Sequence, residues 1–514
     1  MKDWAPSMGR FYDPRQRASL GRRGLGMGNS SALGQRREGS PTPARQAVAG
    51  SGPTSAARVG HAIVRLFGTL SGAGLPRGSV NMNWFSLFNA VSWQIALGAP
   101  VILYAQKLGA DDALLGLLGA LQPLLAPLQV PGAHLLPRLG YRRAMVLGWG
   151  ARTAMLFVLA SAPLWLASSS SRLAAILVCL VLFNLFTGLA SGAWMPWQME
   201  LIPHAARGRF FSQQQIFAMF GGLVALGMAA LLLLGRPGVG QFSLTLLLSA
   251  VGGAVAVLFL ASAPDPSAPQ ARRRAGVRVP WLAMTRFAPF QRLCIFNMLF
   301  TLVLGGLGVF TVAFLRGVEG FGESSVVVLS ALGVVGGLLS LLWSGLLMDR
   351  LPARLIIRSA VLVMALACAG WCMVAGRIVP CSPPLVGALY LFSGIAGVHA
   401  TVANLRLQAA VIPAMGRNHF FALFGLVTSL AAAGSPLAWG LLLNALGAAH
   451  VYTGPLLWNR YTICFAGATA LVFGVFWYCR RLIEAPWPVA ETAVTPGNAP
   501  AVGRRPFRPV EYGG

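Results

Sequence analysis

His399 and Arg406 are two ionisable residues seven positions apart in one long apolar stretch. On an α-helix this spacing rotates the second side chain by only about 20° from the first, so both lie on one face. A histidine can exchange a proton near neutral pH, and an arginine can neutralise an anionic solute or a carboxylate. The alternative is that Arg406 extends to a membrane surface while His399 only hydrogen-bonds a neighbouring helix.

Other polar residues lie inside apolar stretches, where each is a candidate for binding or packing. Arg152 needs a partner, and Glu200 is the carboxylate that the sequence places within reach. The amides more often join helices than bind a ligand, although Asn89 and Asn297 occupy matching places in a repeat described below. With His399 and Arg406, the candidates for a solute cavity are the amides Asn89, Gln94, Asn184 and Asn297.

Several chemistries are not indicated by the residues present. No Asp or Glu lies near the middle of an apolar stretch, and no hydrolase or metalloprotease motif occurs. Cys368 and Cys372 share a helix face, but no histidine or carboxylate pattern accompanies them. The sequence therefore predicts no metal, no cofactor and no enzymatic activity.

Short basic segments between the apolar stretches combine arginines with a carboxylate. Such turns can form charged contacts with each other or with exposed carbonyls at helix ends, and these contacts can act as gates. The alternative is that the arginines only set topology and bind lipid. The candidate gating residues are Arg138, Arg142, Glu200, Arg207, Asp349, Arg350, Arg354 and Arg417.

The composition is that of a membrane protein. Apolar residues make up 56% of the 514, charged residues only 10%, and the mean hydropathy is +0.67, whereas soluble domains average roughly 25% charged residues. The net charge of +27 needs no nucleic acid, because the arginines fall in turns and tails that can face anionic lipid. We predict an integral membrane protein with lipid as a partner and no nucleic-acid partner.

Twelve apolar stretches are long enough to span a bilayer. They lie near 83–105, 113–136, 144–166, 173–195, 214–234, 242–262, 293–315, 325–347, 356–376, 384–408, 419–443 and 461–479. Arginines concentrate in alternate turns and in both tails, which the positive-inside rule assigns to the cytoplasm. Both termini are therefore predicted to be cytoplasmic.

The chain repeats itself, which predicts its architecture. QMELIPHAARGRFF at 198–211 returns as QAAVIPAMGRNHFF at 408–421, and LLPRLGYR at 135–142 returns as LMDRLPAR at 347–354. Phe88 and Asn89 correspond to Phe296 and Asn297 in the same repeat. We therefore predict a disordered Arg-rich tail at 1–80, six-helix halves at 81–262 and 291–482, a cytoplasmic linker at 263–290 and a tail at 483–514.

The basic turns carry a family resemblance. GLLMDRLPAR at 345–354 resembles the signature turn of the major facilitator superfamily, a glycine followed by Asp-Arg and a basic residue. Its counterpart at 132–143 keeps Arg-x-Gly-x-Arg but has Pro137 in the aspartate position. The IPxxxRGR turn with Glu200 is similar to another common feature of the family. The resemblance covers about 82–480 and assigns no subfamily.

That resemblance implies an all-α fold of two parallel six-helix halves around a midplane site. It implies a secondary active transporter that moves a small-molecule solute by alternating access, with a coupling proton or ion. The alternative function is a transporter-like protein that acts as a non-transporting sensor or assembly partner. We expect a monomer in a bacterial inner (plasma) membrane.

Overall fold

Helices long and apolar enough to cross a membrane dominate the chain, and twelve of them fall within the described residues. The computed structural model describes residues 79–203, 206–265, 287–411, 417–448 and 450–483. It does not describe the side chains of 137, 208, 209, 342–350, 409, 417–419, 421 and 422. The prediction of twelve spans is confirmed. The predicted tails and most of the linker lie outside the described residues, so the domain boundaries stay predictions.

The spans are numbered in chain order. Their helices are Ser79–Ala96 with Ala99–Lys107 (span 1), Asp112–Leu125 with Gln129–Ala133 (span 2), Tyr141–Trp165 (span 3), Ser169–Ser191 (span 4), Arg207–Leu232 (span 5), Val239–Ala261 (span 6), Ala288–Gly317 (span 7), Glu323–Arg350 (span 8), Ala353–Ala375 (span 9), Pro383–Val411 (span 10), Arg417–Leu446 (span 11) and Arg460–Tyr478 (span 12). The short helices Leu136–Leu139 and Trp194–Leu201 follow spans 2 and 4, and an antiparallel hairpin of β1 (Val451–Thr453) and β2 (Leu456–Trp458) joins spans 11 and 12.

Successive spans run in opposite directions, so the bundle has two ends. The linker end holds residues 79, 140, 265, 287 and 351, and the far end holds residues 107, 112, 235, 317 and 460. At the linker end the side chain of Asn81 donates to the backbone oxygen of Ser262 (3.3 Å). Trp197 Nε1 donates to the backbone oxygen of Pro264 there (2.9 Å). These bonds tie the start of span 1 and the short helix after span 4 to the segment that follows span 6, where the linker begins.

Polar caps begin several helices at the far end. The side chain of Asp111 accepts from the backbone N–H of Leu114 (2.9 Å) at the start of span 2. Ser168 caps span 4 and Asn459 caps span 12 in the same way. Each cap satisfies a backbone donor that the first helical turn leaves free, which matters most where a helix leaves an apolar environment.

Span 1 departs from the sequence prediction, which placed one continuous helix over 83–105. The structure ends one helix at Ala96 and begins another at Ala99. Pro100 stands in the first turn of the second helix, where its missing N–H is not needed. The interruption lies in the far-end third of the span.

The two halves meet along two pairs of spans. Span 2 packs against span 11, and span 5 packs against span 8. Exchanging the halves converts the first pair into the second, as expected for parallel repeats related by an axis along the membrane normal.

Glycines bring span 2 and span 11 very close at the far end. A Cβ on Gly116 would lie 2.3 Å from the backbone oxygen of Pro436, and a Cβ on Gly440 would lie 2.5 Å from the backbone oxygen of Asp112. Small residues allow this approach of two membrane helices. The two halves therefore approach each other closely at this end.

Candidate functional site

Arg152 is buried near the middle of span 3 with 3% of its surface exposed. Its guanidinium donates to Asn89 Oδ1 of span 1 (2.5 Å) and to Thr187 Oγ1 of span 4 (3.4 Å). The guanidinium carbon lies 4.7 Å from the ring centre of Trp149 and 4.6 Å from that of Phe183, which are cation–π distances. Neutral groups thus surround a charge that costs at least about 2.5–3.5 kcal/mol to insert at mid-membrane.

Glu200 is not the partner of Arg152, which corrects the sequence prediction. Its Oε1 instead accepts from the hydroxyl of Tyr141 (3.4 Å) at the linker end. The prediction failed because Glu200 follows span 4 on a separate short helix, Trp194–Leu201, whereas Arg152 lies at mid-depth.

The matching amides Asn89 and Asn297 have different surroundings. Asn89 Oδ1 also accepts from Trp149 Nε1 (2.9 Å). Asn297 and Asn404 form a mutual pair between spans 7 and 10, with N–H···O distances of 3.1 and 2.6 Å. Sequence reasoning missed Asn404 because its position along span 10 does not show that it faces Asn297. One half thus holds a charged cluster and the other a neutral amide pair.

Two other candidate amides are less clearly placed for binding. Asn184 is 2% exposed, and its Nδ2 donates to the backbone oxygen of Leu180 in its own helix. Gln94 is half-buried beside Gly222 of span 5. Both therefore take part in contacts within the first half.

His399 and Arg406 of span 10, and Ala403 between them on the same face, lie in different surroundings. His399 is 7% exposed, and its Nδ1 lies 2.8 Å from Ser340 Oγ of span 8. Ala403 is fully buried. Spans 8 and 10 pack against each other here, so His399 and Ala403 face protein in this state, and a place for His399 on the solute path stays a prediction.

Arg406 is exposed, and its guanidinium donates to the backbone oxygen of Leu351 (3.1 Å) at the linker end. The residue therefore follows the alternative of reaching the membrane surface. A long arginine side chain can carry its charge several ångströms along a helix, which the spacing of two residues cannot reveal.

In the turn after span 4, the side chain of Arg207 is bound by backbone carbonyls. Arg207 donates to the backbone oxygens of Met199 (2.7 Å) and Ile202 (3.2 Å). These carbonyls belong to the end of the short helix Trp194–Leu201 and the residue after it, where cations are favourable.

The turn after span 2 contacts a carboxylate that the sequence analysis did not assign to it. The backbone N–H of Arg142 donates to Asp265 Oδ2 (3.3 Å), which comes from the end of span 6. Gly140 adopts φ 75° beside it, a conformation that favours glycine. Arg138 and Arg354 are exposed. The side chains of Asp349, Arg350 and Arg417 lie outside the described residues.

An ion pair that the sequence did not suggest joins the halves at the far end. Arg460 of span 12 lies 2.6 Å from Asp112 Oδ2 of span 2. The hydroxyl of Tyr461 donates to the other oxygen of Asp112 (3.5 Å). Gln106 Nε2 reaches the backbone oxygen of Ala313 (3.3 Å) in the other half. A cavity of about 560 Å³ lies beside these groups.

The internal repeat offered a signal for this far-end cluster. Asp112 and Glu323 begin spans 2 and 8 at matching places, each three residues after a glycine of positive φ, Gly109 and Gly320. Glu323 pairs with Arg316 at 2.8 Å within its own half. The sequence analysis did not single out Asp112 or Glu323, because an arginine beside a short turn is an ordinary feature of a membrane protein.

A third acidic residue at the far end raises the pKa of a cysteine thiol. Glu319 lies 3.3 Å from Arg377 and beside Cys381, between spans 9 and 10. Burial and then the Glu319 carboxylate raise the pKa of the Cys381 thiol to about 11. In the described part of the chain no group of three or more potential metal ligands occurs.

A model of the Major Facilitator Superfamily matches residues 83–386, more than half of the chain. The chain belongs to the Major Facilitator Superfamily. It is an integral membrane protein and a secondary active transporter that moves solute by alternating access between two six-helix halves. No curated protein matches the chain by sequence.

Solved structures of other Major Facilitator Superfamily transporters share the fold. A D-xylose–proton symporter is 14% identical with a TM-score of 0.63, over 80% of this chain and 99% of that one. The nucleoside transporter NupG is 13% identical with a TM-score of 0.61, over 79% and 99%. An inward-open structure of XylE from E. coli is 12% identical with a TM-score of 0.58, over 79% and 98%.

Proposed function

We propose that a small solute passes between the two halves and that this structure represents the state closed at the far end. The observation that supports this is the set of direct bonds across the halves at that end. Besides the Asp112–Arg460 pair, Ser324 donates to the backbone oxygen of Ala230 (2.8 Å), joining span 8 to span 5. These bonds must break for the far end to open.

The linker-end turns form the opposing gate. Glu200, Arg207 and Arg142 contact neighbouring helix ends there, and we place Arg138, Asp349, Arg350, Arg354 and Arg417 in the same gate. The far-end bonds and the linker-end contacts then alternate, as rocking of two halves requires. The observations that favour gating do not favour the sensor or assembly role.

A coupling proton is part of the proposal, as in the D-xylose–proton symporter of the same fold. Each carboxylate whose side chain is described lies at one end of the bundle: Asp111, Asp112, Glu319 and Glu323 at the far end, Glu200 and Asp265 at the linker end. His399 is therefore the candidate proton carrier at mid-depth, since an imidazole nitrogen can bind and release a proton. We place the protein, as a monomer, in a bacterial inner membrane. Its termini are cytoplasmic, and it has no enzymatic activity.

The test is flux into proteoliposomes together with a measure of far-end opening. Asp112→Asn removes the charge of the ion pair, so the far end should open more often and a spin-label distance between spans 2 and 12 should lengthen. Solute flux should change by several-fold while abundance in the membrane stays normal.

Asp111→Asn is the matched control, because asparagine keeps the helix cap and the substitution removes the same charge one residue away. Equal distances and equal flux in both variants would contradict the far-end gate. If flux through the wild-type protein does not depend on a pH gradient, the coupling proton is removed from the proposal.

A further inference from the structure

The hydrogen bonds of Arg152 and Asn89 do not use all of the N–H groups of these two side chains. Asn89 Oδ1 accepts from both Trp149 and Arg152, so the orientation of this amide is fixed. Its Nδ2 has no hydrogen-bond partner among the described residues, and the residue is partly exposed. Arg152 Nε is buried and likewise has no partner in the described part of the chain. Two unused N–H groups therefore belong to one cluster.

Among the residues that the structure describes, the positive charge of Arg152 also has no counter-ion. Asp112, Glu319 and Glu323, the carboxylates in described ion pairs, bind other arginines at the far end. The described acids at the linker end contact the turns. A buried charge in a membrane is normally paired or functional, and a guanidinium suits the oxygens of a carboxylate or of a phosphate.

The equivalent place in the other half has different surroundings. Asn297 donates to Asn404 and to the backbone oxygen of Leu293, and its own oxygen accepts from Asn404. Its amide hydrogen bonds are satisfied by neutral neighbours. The equivalent place in the second half thus lacks both the positive charge and the unpartnered N–H groups found around Arg152 and Asn89.

We propose that Arg152, Asn89 and Thr187 form the binding site for an anionic oxyacid group of the transported solute. The group is a carboxylate or a phosphate that contacts the free amide N–H of Asn89 and neutralises Arg152. The site rests on the proposed path between the halves and assigns the solute to the class of organic or inorganic anions.

The test uses the full chain in nanodiscs and measures the thermal shift caused by acetate, succinate, inorganic phosphate and glycerol phosphate. Acetamide, succinamide and glycerol are the neutral comparisons. At least one anion should raise Tm while its neutral analogue does not. Arg152→Lys keeps the charge but loses the planar fork, so the affinity should fall about tenfold.

Two variants separate binding from a structural role. Arg152→Gln removes the charge, and Asn89→Asp supplies an internal carboxylate to Arg152, so both should abolish the anion-dependent shift. Asn89→Asp should do so with an unliganded Tm at or above that of the wild type. Arg172→Gln removes an equal charge near the far end and should keep the shift.

Retention of the shift in Asn89→Asp, or an equal response to anions and neutral analogues in the wild type, would overturn the anion site. A response to a neutral probe but to no anion would refute this site and leave transport standing. Anion binding without flux in proteoliposomes would leave the site standing and remove the proposed transport path.

Discussion

Asn297 and Asn404 join spans 7 and 10 through two amide hydrogen bonds of 3.1 and 2.6 Å. The spacing of polar residues along span 10 pointed instead to His399 and Arg406. Spacing gives the rotation of a side chain about its own helix, but not which helix faces it. The contact of His399 with Ser340 and the contact of Asn404 with Asn297 both depend on packing between spans. The candidate site was therefore predicted by residue type and only partly by position.

The amide pair gives a prediction at the residue scale. A double-mutant cycle of Asn297→Ala and Asn404→Ala should give a coupling free energy of about 0.6 kcal/mol and at most about 1.7 kcal/mol, the range seen for hydrogen bonds between membrane helices. Unfolding in mixed micelles measures it. Thr301→Ala is the control partner, because the Thr301 hydroxyl donates to carbonyls of its own span. A coupling of zero for the amide pair would contradict the prediction.

The helices themselves were largely predictable because hydropathy over a span-length window depends on the sequence alone. The interruption of span 1 at residues 97–98 was not predicted, although Gly98 and Pro100 are a local signal for it. The close crossing of spans 2 and 11 could not be predicted, since glycines are frequent in membrane helices and their spacing does not identify the partner.

The crossing gives a prediction at the scale of the helix. Gly116→Ala should force spans 2 and 11 apart at the far end, because its Cβ would meet the backbone oxygen of Pro436 at 2.3 Å. We expect a longer distance between labels on these spans and a lower Tm. Gly434→Ala on span 11 is the control, since a Cβ there meets nothing within 4 Å. If both variants behave like the wild type, the crossing is looser than the structure indicates.

The architecture of the whole molecule follows from the repeat of about 210 residues, which predicted two parallel halves. The sequence could not show at which end the halves close, because the Asp112–Arg460 pair joins residues that are 348 positions apart. Neither residue matches a motif, and a contact so distant in the chain has no local signal.

Orientation in the membrane gives a prediction for the whole molecule. With both termini cytoplasmic, a cysteine introduced at Ser170 of the far end should react with an impermeant maleimide added outside intact cells. A cysteine at Ser262 of the linker end should react only after the membrane is permeabilised. Both serines are exposed, so access differs by side alone. The reverse pattern would show that the protein has the opposite orientation and that the two gates lie on the opposite sides of the membrane.

The Glu319 carboxylate beside Cys381 governs the reactivity of a native thiol. A pKa raised from 9.0 to about 11 leaves about a hundredfold less thiolate at pH 7. The thiolate is the reactive form, so alkylation of Cys381 should be slow at pH 7 and should accelerate about tenfold per pH unit until the pH approaches 11. Removing the negative charge in Glu319→Gln should lower this pKa and raise the rate several-fold at pH 8. Mass spectrometry of the alkylated protein would measure the rate. At neutral pH the wild-type surface therefore carries a thiol that is nearly silent toward maleimides.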